Sequence, residues 1–214
     1  MPHTAPTILL WDWDNTLVDA WAGIAAALNA AFTAFDMPTW TVAETRARVR
    51  VSLRESFPLM FGNAWTRARD IFYGTLETGH LHHLQPLPGT AEVLAAARRP
   101  QGVVSNKTGR FLRAEVSALG WDRHFATVIG AGDAQADKPD PAPIRLALTR
   151  LSASPGPAVW YLGDTALDMQ AARAAGVTAV LVGDAAHDGG VDRAAPDLHF
   201  ADADALTAHF RDLA

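Results

Sequence analysis

The first apolar run, "TILLWD" at residues 7–12, is short and continuous, which predicts a buried strand. The alanine-rich stretch at 20–35 predicts a helix. The pattern stays helical through "TVAETRARVRVSL", "RESFPLMFG" and "NAWTRARDIFYGTLETG" until "LQPLPG" at 84–89 interrupts it. Beyond that point the period alternates. Helices at 90–99, 109–119, 141–151 and 165–175 are each followed by a short apolar strand, at 102–105, 126–130, 158–163 and 178–183. "DLHF" at 197–200 reads as a last edge strand before a C-terminal helix. Apolar strands alternating with helices build a parallel sheet covered on both faces. The expected fold is therefore α/β: a doubly wound parallel, Rossmann-like core sheet made of residues 1–17 and 86–214. An all-helical insertion, residues 18–85, follows the first strand.

Composition narrows the function classes. Apolar residues make up 49% of the 214, enough for a real core, and the net charge is −5 with no basic tail. That argues against nucleic acid or an anionic membrane as partner. There is no cysteine, so no disulfide framework, thiolate metal site or cysteine nucleophile. The first residues lack a basic leader segment, and no run approaches the ~20 apolar residues of a membrane helix, so a cytoplasmic location is the expectation. Oligomeric state is not readable. Of 18 basic residues only two are lysines, Lys107 and Lys138, which suggests places where a compact ammonium is wanted.

In such sheets ligands bind beyond the carboxyl ends of the strands. The first strand is followed by Asp12, Asp14, Asn15 and Thr16, and the second by Ser105, Asn106 and Lys107. "DKPDP" with Lys138 lies after the third, and "GDTALD" with Asp164 and Asp168 after the fourth. Both lysines fall in these segments. Clustered carboxylates repel unless a cation sits among them, and oxygen-only donors select a hard ion, Mg²⁺ above all. A carboxylate can also serve as nucleophile, and a second as general acid and then base. Ser105, helix N-terminal N–H groups and Lys138 suit a phosphate.

These segments resemble the four motifs of the haloacid dehalogenase superfamily, in its phosphoglycolate phosphatase-like branch. "DWDNTLVD" is similar to the first motif, "VVSNK" to the second, "DKPDP" to the third and "YLGDTALDMQAARAAG" to the fourth, in the family's order. The resemblance implies that Asp12 attacks phosphorus and that Asp14 protonates the leaving alcohol and then activates water. It implies Mg²⁺ on the Asp12 carboxylate, the Asp14 main-chain carbonyl and Asp164, with Asp168 binding or orienting a metal-bound water. Thr16, Ser105 and Asn106 would hold phosphoryl oxygens, and Lys138 would neutralise developing charge. The insertion would be a mobile cap.

The implied activity is a Mg²⁺-dependent phosphatase of a small phosphorylated metabolite, phosphoglycolate or a sugar phosphate. A sugar phosphomutase on the same scaffold and a catalytically idle binding module are the alternatives. Thr16 favours hydrolysis, because mutases resembling this family often carry valine there. A phosphonate hydrolase of the family would need a cap lysine, and residues 18–85 contain none. Arg46, Arg50 and Arg54 recur every four residues, which makes either a solvated stripe or, through Arg50 or Arg54, a contact to the substrate's distal anion. Lys107 is either a substrate contact or a helix-start charge. Asp164 and Asp168 can also be read as helix caps. His80, His82 and His83 read as a solvated linker, "GDAAHDGGVD" at 183–192 as a loop, and Trp11 and Trp13 as packing residues.

Overall fold

The computed structural model describes residues 4–49 and 53–213. The chain opens on β1 (Ile8–Trp11) and passes through β2 (Val18–Asp19) into four helices, α1 (Trp21–Ala34), α2 (Val42–Arg48), α3 (Leu53–Phe61) and α4 (Trp65–Gly79). It returns through β3 (Gln85–Pro86) and then alternates: α5 (Thr90–Ala96), β4 (Gln101–Thr108), α6 (Gly109–Ala118), β5 (Thr127–Ala131), α7 (Ala142–Arg150) and β6 (Val159–Gly163). α8 (Ala166–Ala175), β7 (Thr178–Val182), the short α9 (Val191–Ala194), β8 (Leu198–Phe200) and α10 (Ala203–Asp212) complete it. Two compact units result: Met1–Val18 with Pro86–Ala214, and Asp19–Gln85.

The first unit is a six-stranded sheet in the order β5-β4-β1-β6-β7-β8, every neighbouring pair parallel. It is the doubly wound α/β fold that the alternating pattern predicts. Its strands are apolar at successive positions because both faces are covered. On one face Leu10, Val104, Ile129, Tyr161 and Leu181 pack with Ile144 and Leu148 of α7 and Met169 of α8. Toward the other, Trp160 lies 6.4 Å from the Phe210 ring of α10. β1 is the switch point of the sheet. The chain winds outward from it through β4 to β5, then crosses back and winds the other way through β6, β7 and β8. A crevice opens at such a point beyond the carboxyl strand ends.

The second unit is helical, its core formed by Leu28, Phe32, Phe57, Ala68 and Phe72. Phe61 ties the aromatic cluster, 5.9 Å from Phe32 and 5.2 Å from Phe57. α2 begins with a capping box between Thr41 and Glu44, and it ends at Arg48, where Val49 turns extended. Arg46 therefore sits on a different helix from Arg54, so the three arginines do not form one stripe on a continuous helix. The Arg46 guanidinium lies 6.0 Å from the Trp21 ring. Arg50 lies outside the described residues, as does the side chain of Arg54.

Candidate active site

Three neighbouring strands, β4, β1 and β6, deliver polar side chains to one end of the sheet. Asp12 directly follows β1, held in register by its N–H donating to the Leu162 carbonyl at 2.8 Å. Asp164 directly follows β6, and Asp168 is one turn into α8. Candidate ligand oxygens of Asp12, Asp164 and Asp168 all lie within 4.8 Å of one another, and all three residues are buried.

Lys138 enters this cluster from the loop before α7. Its ammonium donates to Asp12 Oδ1 and Asp168 Oδ1, both at 2.7 Å, and to the Tyr161 hydroxyl at 2.9 Å. Tyr161 in turn donates to the Val104 carbonyl at 2.7 Å. A buried lysine survives only when its charge is matched. Burial opposes the Lys138 charge, yet Asp12 and Asp168 outweigh it and hold the ammonium protonated well above its ordinary range.

The acids outnumber that one cation. Burial pushes the Asp12 carboxyl up to about 7, with Lys138 opposing and the Asp168 and Asp164 charges adding to the rise. Burial also raises Asp164, with His187 opposing. His187 Nε2 stands 3.1 Å from Asp164 Oδ2 as an ion-pair partner, but no hydrogen bond of good geometry reaches that oxygen. The Asp164 contact raises the His187 imidazole against the effect of its burial. Excess buried negative charge, oxygen donors alone and an underused carboxylate oxygen fit a hard divalent cation. Among the described residues no other group of three acids or histidines has this spacing, and His80, His82 and His83 form none.

Asp168 is both a helix cap and a member of the cluster. Thr165 and Asp168 form a capping box at the start of α8, with Asp168 Oδ2 accepting from the Thr165 hydroxyl at 2.6 Å and its N–H at 3.1 Å. That leaves Oδ1 aimed at Lys138. Thr16 donates to Asp164 Oδ1 at 3.1 Å. Ser105 is buried at the same rim, its hydroxyl accepting from the Lys107 N–H at 3.3 Å.

Besides Thr16, two more expected phosphate or substrate contacts have other partners. The Asn106 carboxamide clamps the Lys138 main chain, donating to its carbonyl and accepting from its N–H, each at 2.9 Å. The amide thus fixes the base of Lys138. The Lys107 ammonium is committed to Asp14 Oδ1 at 2.8 Å and Glu115 Oε2 at 2.7 Å. The Asp14 carboxylate lies outside the three-acid cluster and keeps about a third of its side-chain surface in solvent (32%).

Sequence reasoning missed Tyr161, His187 and Glu115. Tyr161 looks like strand packing, and His187 sits in a glycine-rich segment that reads as loop. Glu115 carries a signal: it shares a face of α6 with buried Leu112 and Val116, where a charge is out of place.

The family model for haloacid dehalogenase-like hydrolases matches residues 9–182. A phosphoglycolate phosphatase of Pectobacterium atrosepticum is 33% identical over 189 residues, covering 83% of this chain and 80% of the relative. One from Xanthomonas campestris pv. campestris is 30% identical over 186 residues, covering 82% of each. Among solved structures, a haloacid dehalogenase-like hydrolase of Streptococcus pneumoniae has the same fold at TM-score 0.83 and 20% identity, covering 96% of this chain and 98% of that one. A further hydrolase of the superfamily, from Ehrlichia chaffeensis, matches at TM-score 0.71 and 22% identity over 99% of both. The chain belongs to the haloacid dehalogenase-like hydrolase family, and it is a phosphatase, a phosphoric monoester hydrolase.

Proposed function

We propose that the protein hydrolyses a small phosphorylated metabolite, phosphoglycolate first among them, through an aspartyl phosphate on Asp12 and with Mg²⁺ as cofactor. The observation that carries this reading is the buried cluster of Asp12, Asp164 and Asp168 around Lys138, with Asp14 two residues beyond the nucleophile. The relatives at about 30% identity, named phosphoglycolate phosphatases, support the choice of substrate.

The Asp12 and Asp164 carboxylates and the Asp14 main-chain carbonyl would hold Mg²⁺. When bound, the ion screens the charge between carboxylate and phosphate so that two anions can approach. Asp12 then forms a bond to phosphorus while the ester P–O bond breaks. The leaving oxygen keeps the bonding pair and takes the proton of the Asp14 carboxyl. In the second half, Asp14 as carboxylate removes a proton from water, whose oxygen attacks phosphorus and releases Asp12 and inorganic phosphate. Lys138 balances charge on the phosphoryl oxygens, and Ser105 offers a hydroxyl at the same rim. Asn106 and Asp168 keep Lys138 in place. Residues 19–85 are the part of the chain that would select the substrate and exclude water.

The test is phosphate release with Mg²⁺ and with a chelator, across phosphoglycolate, sugar phosphates, nucleotides and pyrophosphate. Fast Mg²⁺-dependent release from phosphoglycolate is expected. Isomerisation of a sugar phosphate without phosphate release would replace the reading with a mutase. Asp12→Asn is expected to keep its melting temperature within a few degrees and lose at least ~10³ in kcat. Substantial Mg²⁺-dependent turnover in that variant would remove Asp12 as nucleophile.

A further inference from the structure

We propose that Glu115, buried in α6, is a positioning residue for Asp14, acting through Lys107. The inference rests on the reading of Asp14 as general acid and base. A glutamate with 1% of its surface exposed is rare and expensive unless it is paired. Glu115 Oε2 accepts from the Lys107 ammonium at 2.7 Å and from the Trp13 indole N–H at 2.7 Å. Trp13 is itself fully buried, its ring edge-on to Trp121 at 5.8 Å and to Phe125 at 6.4 Å. The indole anchors the glutamate, the glutamate anchors the ammonium, and the ammonium donates to Asp14 Oδ1 at 2.8 Å.

The chain of contacts has a direction. Its inner end is rigid: an aromatic cluster and a buried helix face. Its outer end is a carboxyl group with about a third of its surface in water. Left alone, such a side chain samples several rotamers, and a lysine stem gives up rotamer freedom when it is fixed. Glu115 bears that ordering through a buried ion pair, so the ammonium holds Asp14 in one orientation. General acid catalysis requires that orientation, because the proton must reach the ester oxygen as the P–O bond breaks. A misplacement of about 1 Å can cost ~10²-fold.

Leaving groups separate this role from mere support of the fold. A 4-nitrophenolate departs readily without a proton, whereas phenolate benefits from one, and the two aryl phosphates are close in shape. We expect Glu115→Gln to lower kcat/KM for phenyl phosphate at least ~10-fold more than for 4-nitrophenyl phosphate, as loss of a positioned acid should. The substituted carboxamide keeps an oxygen for the Trp13 N–H, and Lys107→Met, which removes the ammonium from the outer end, should show the same selective loss. It carries the test if the Glu115 variant does not fold. Asp14→Asn is the reference. If Asp14→Asn is selective while the Glu115 and Lys107 variants lose both substrates equally, Glu115 is structural and the proposal falls, with the Asp14 assignment intact. If Asp14→Asn itself shows no selectivity, the acid assignment falls and takes the proposal with it.

Discussion

At the scale of single residues the site is a problem of charge matching. Lys138 is 6% exposed and faces two buried carboxylates at 2.7 Å. Removing one partner of such a set leaves uncompensated buried charge, which is worse than removing the whole set. Lys138→Met should therefore cost about 3 kcal/mol or more of unfolding free energy, measured by denaturant titration in chelator. A cost below ~1 kcal/mol would show that the ammonium is not paired as described. Lys138 was legible because lysine is so scarce in this chain, and the aspartates because they interrupt apolar strands. Glu115 and Asn106 were not. The place of Glu115 on the apolar face of α6 marks it as odd but does not name its partner, and an asparagine beside a strand end does not reveal whether it faces a ligand or a neighbouring main chain.

Where strands hand over to helices, backbones come close and small residues matter. Gly163 ends β6, and a Cβ there would sit 2.5 Å from the Asp168 Cβ and Cγ. Gly163→Ala must push α8 or the Asp168 side chain aside. It should destabilise by about 1–3 kcal/mol and lower kcat, read by melting and by phosphate release. A second link of this kind joins α6 to the end of β5. Asp133 accepts from Arg113 at 2.6 Å and from the Gly130 N–H at 2.9 Å. Partial burial raises the Asp133 carboxyl, but Arg113 and Gly130 outweigh it and hold it below its ordinary range. A lowered carboxyl stabilises the fold at pH above ~4 and stops doing so as pH falls through its folded value. Asp133→Asn should therefore cost about 1 kcal/mol at pH 7, and the difference from wild type should shrink below pH 4. A difference independent of pH would show that the charge of Asp133 is not involved. The alternating elements of the core were legible because period and length agree there. Other boundaries were obscured by polarity: β4 runs on through "SNKT" to Thr108, past an irregular register after Val104, where sequence suggests a strand ended at Ser105. α9, four residues long behind two glycines, is too short to show a period.

For the whole molecule the main consequence is linkage between folding and the cation. The motifs are scattered from Asp12 to Asp168, yet parallel order brings β4, β1 and β6 side by side, so the acids meet only once β1 and β6 have paired. The unfolded chain has no such site. A cation that fits the cluster therefore stabilises the folded core by mass action, about 2.7 kcal/mol at a hundredfold excess over Kd. Part of that gain is relief of repulsion, since the excess carboxylate charge is already buried without the ion. Mg²⁺ should raise the melting temperature of wild type in proportion to the logarithm of its concentration above Kd. Asp164→Asn should be insensitive over the same range, because it removes the carboxylate whose Oδ2 receives no good hydrogen bond. Asp36→Asn, in the helical unit, should follow wild type. Equal Mg²⁺ stabilisation of all three proteins would mean that the ion acts elsewhere on the acidic surface, and the metal assignment at Asp12 and Asp164 would have to be given up.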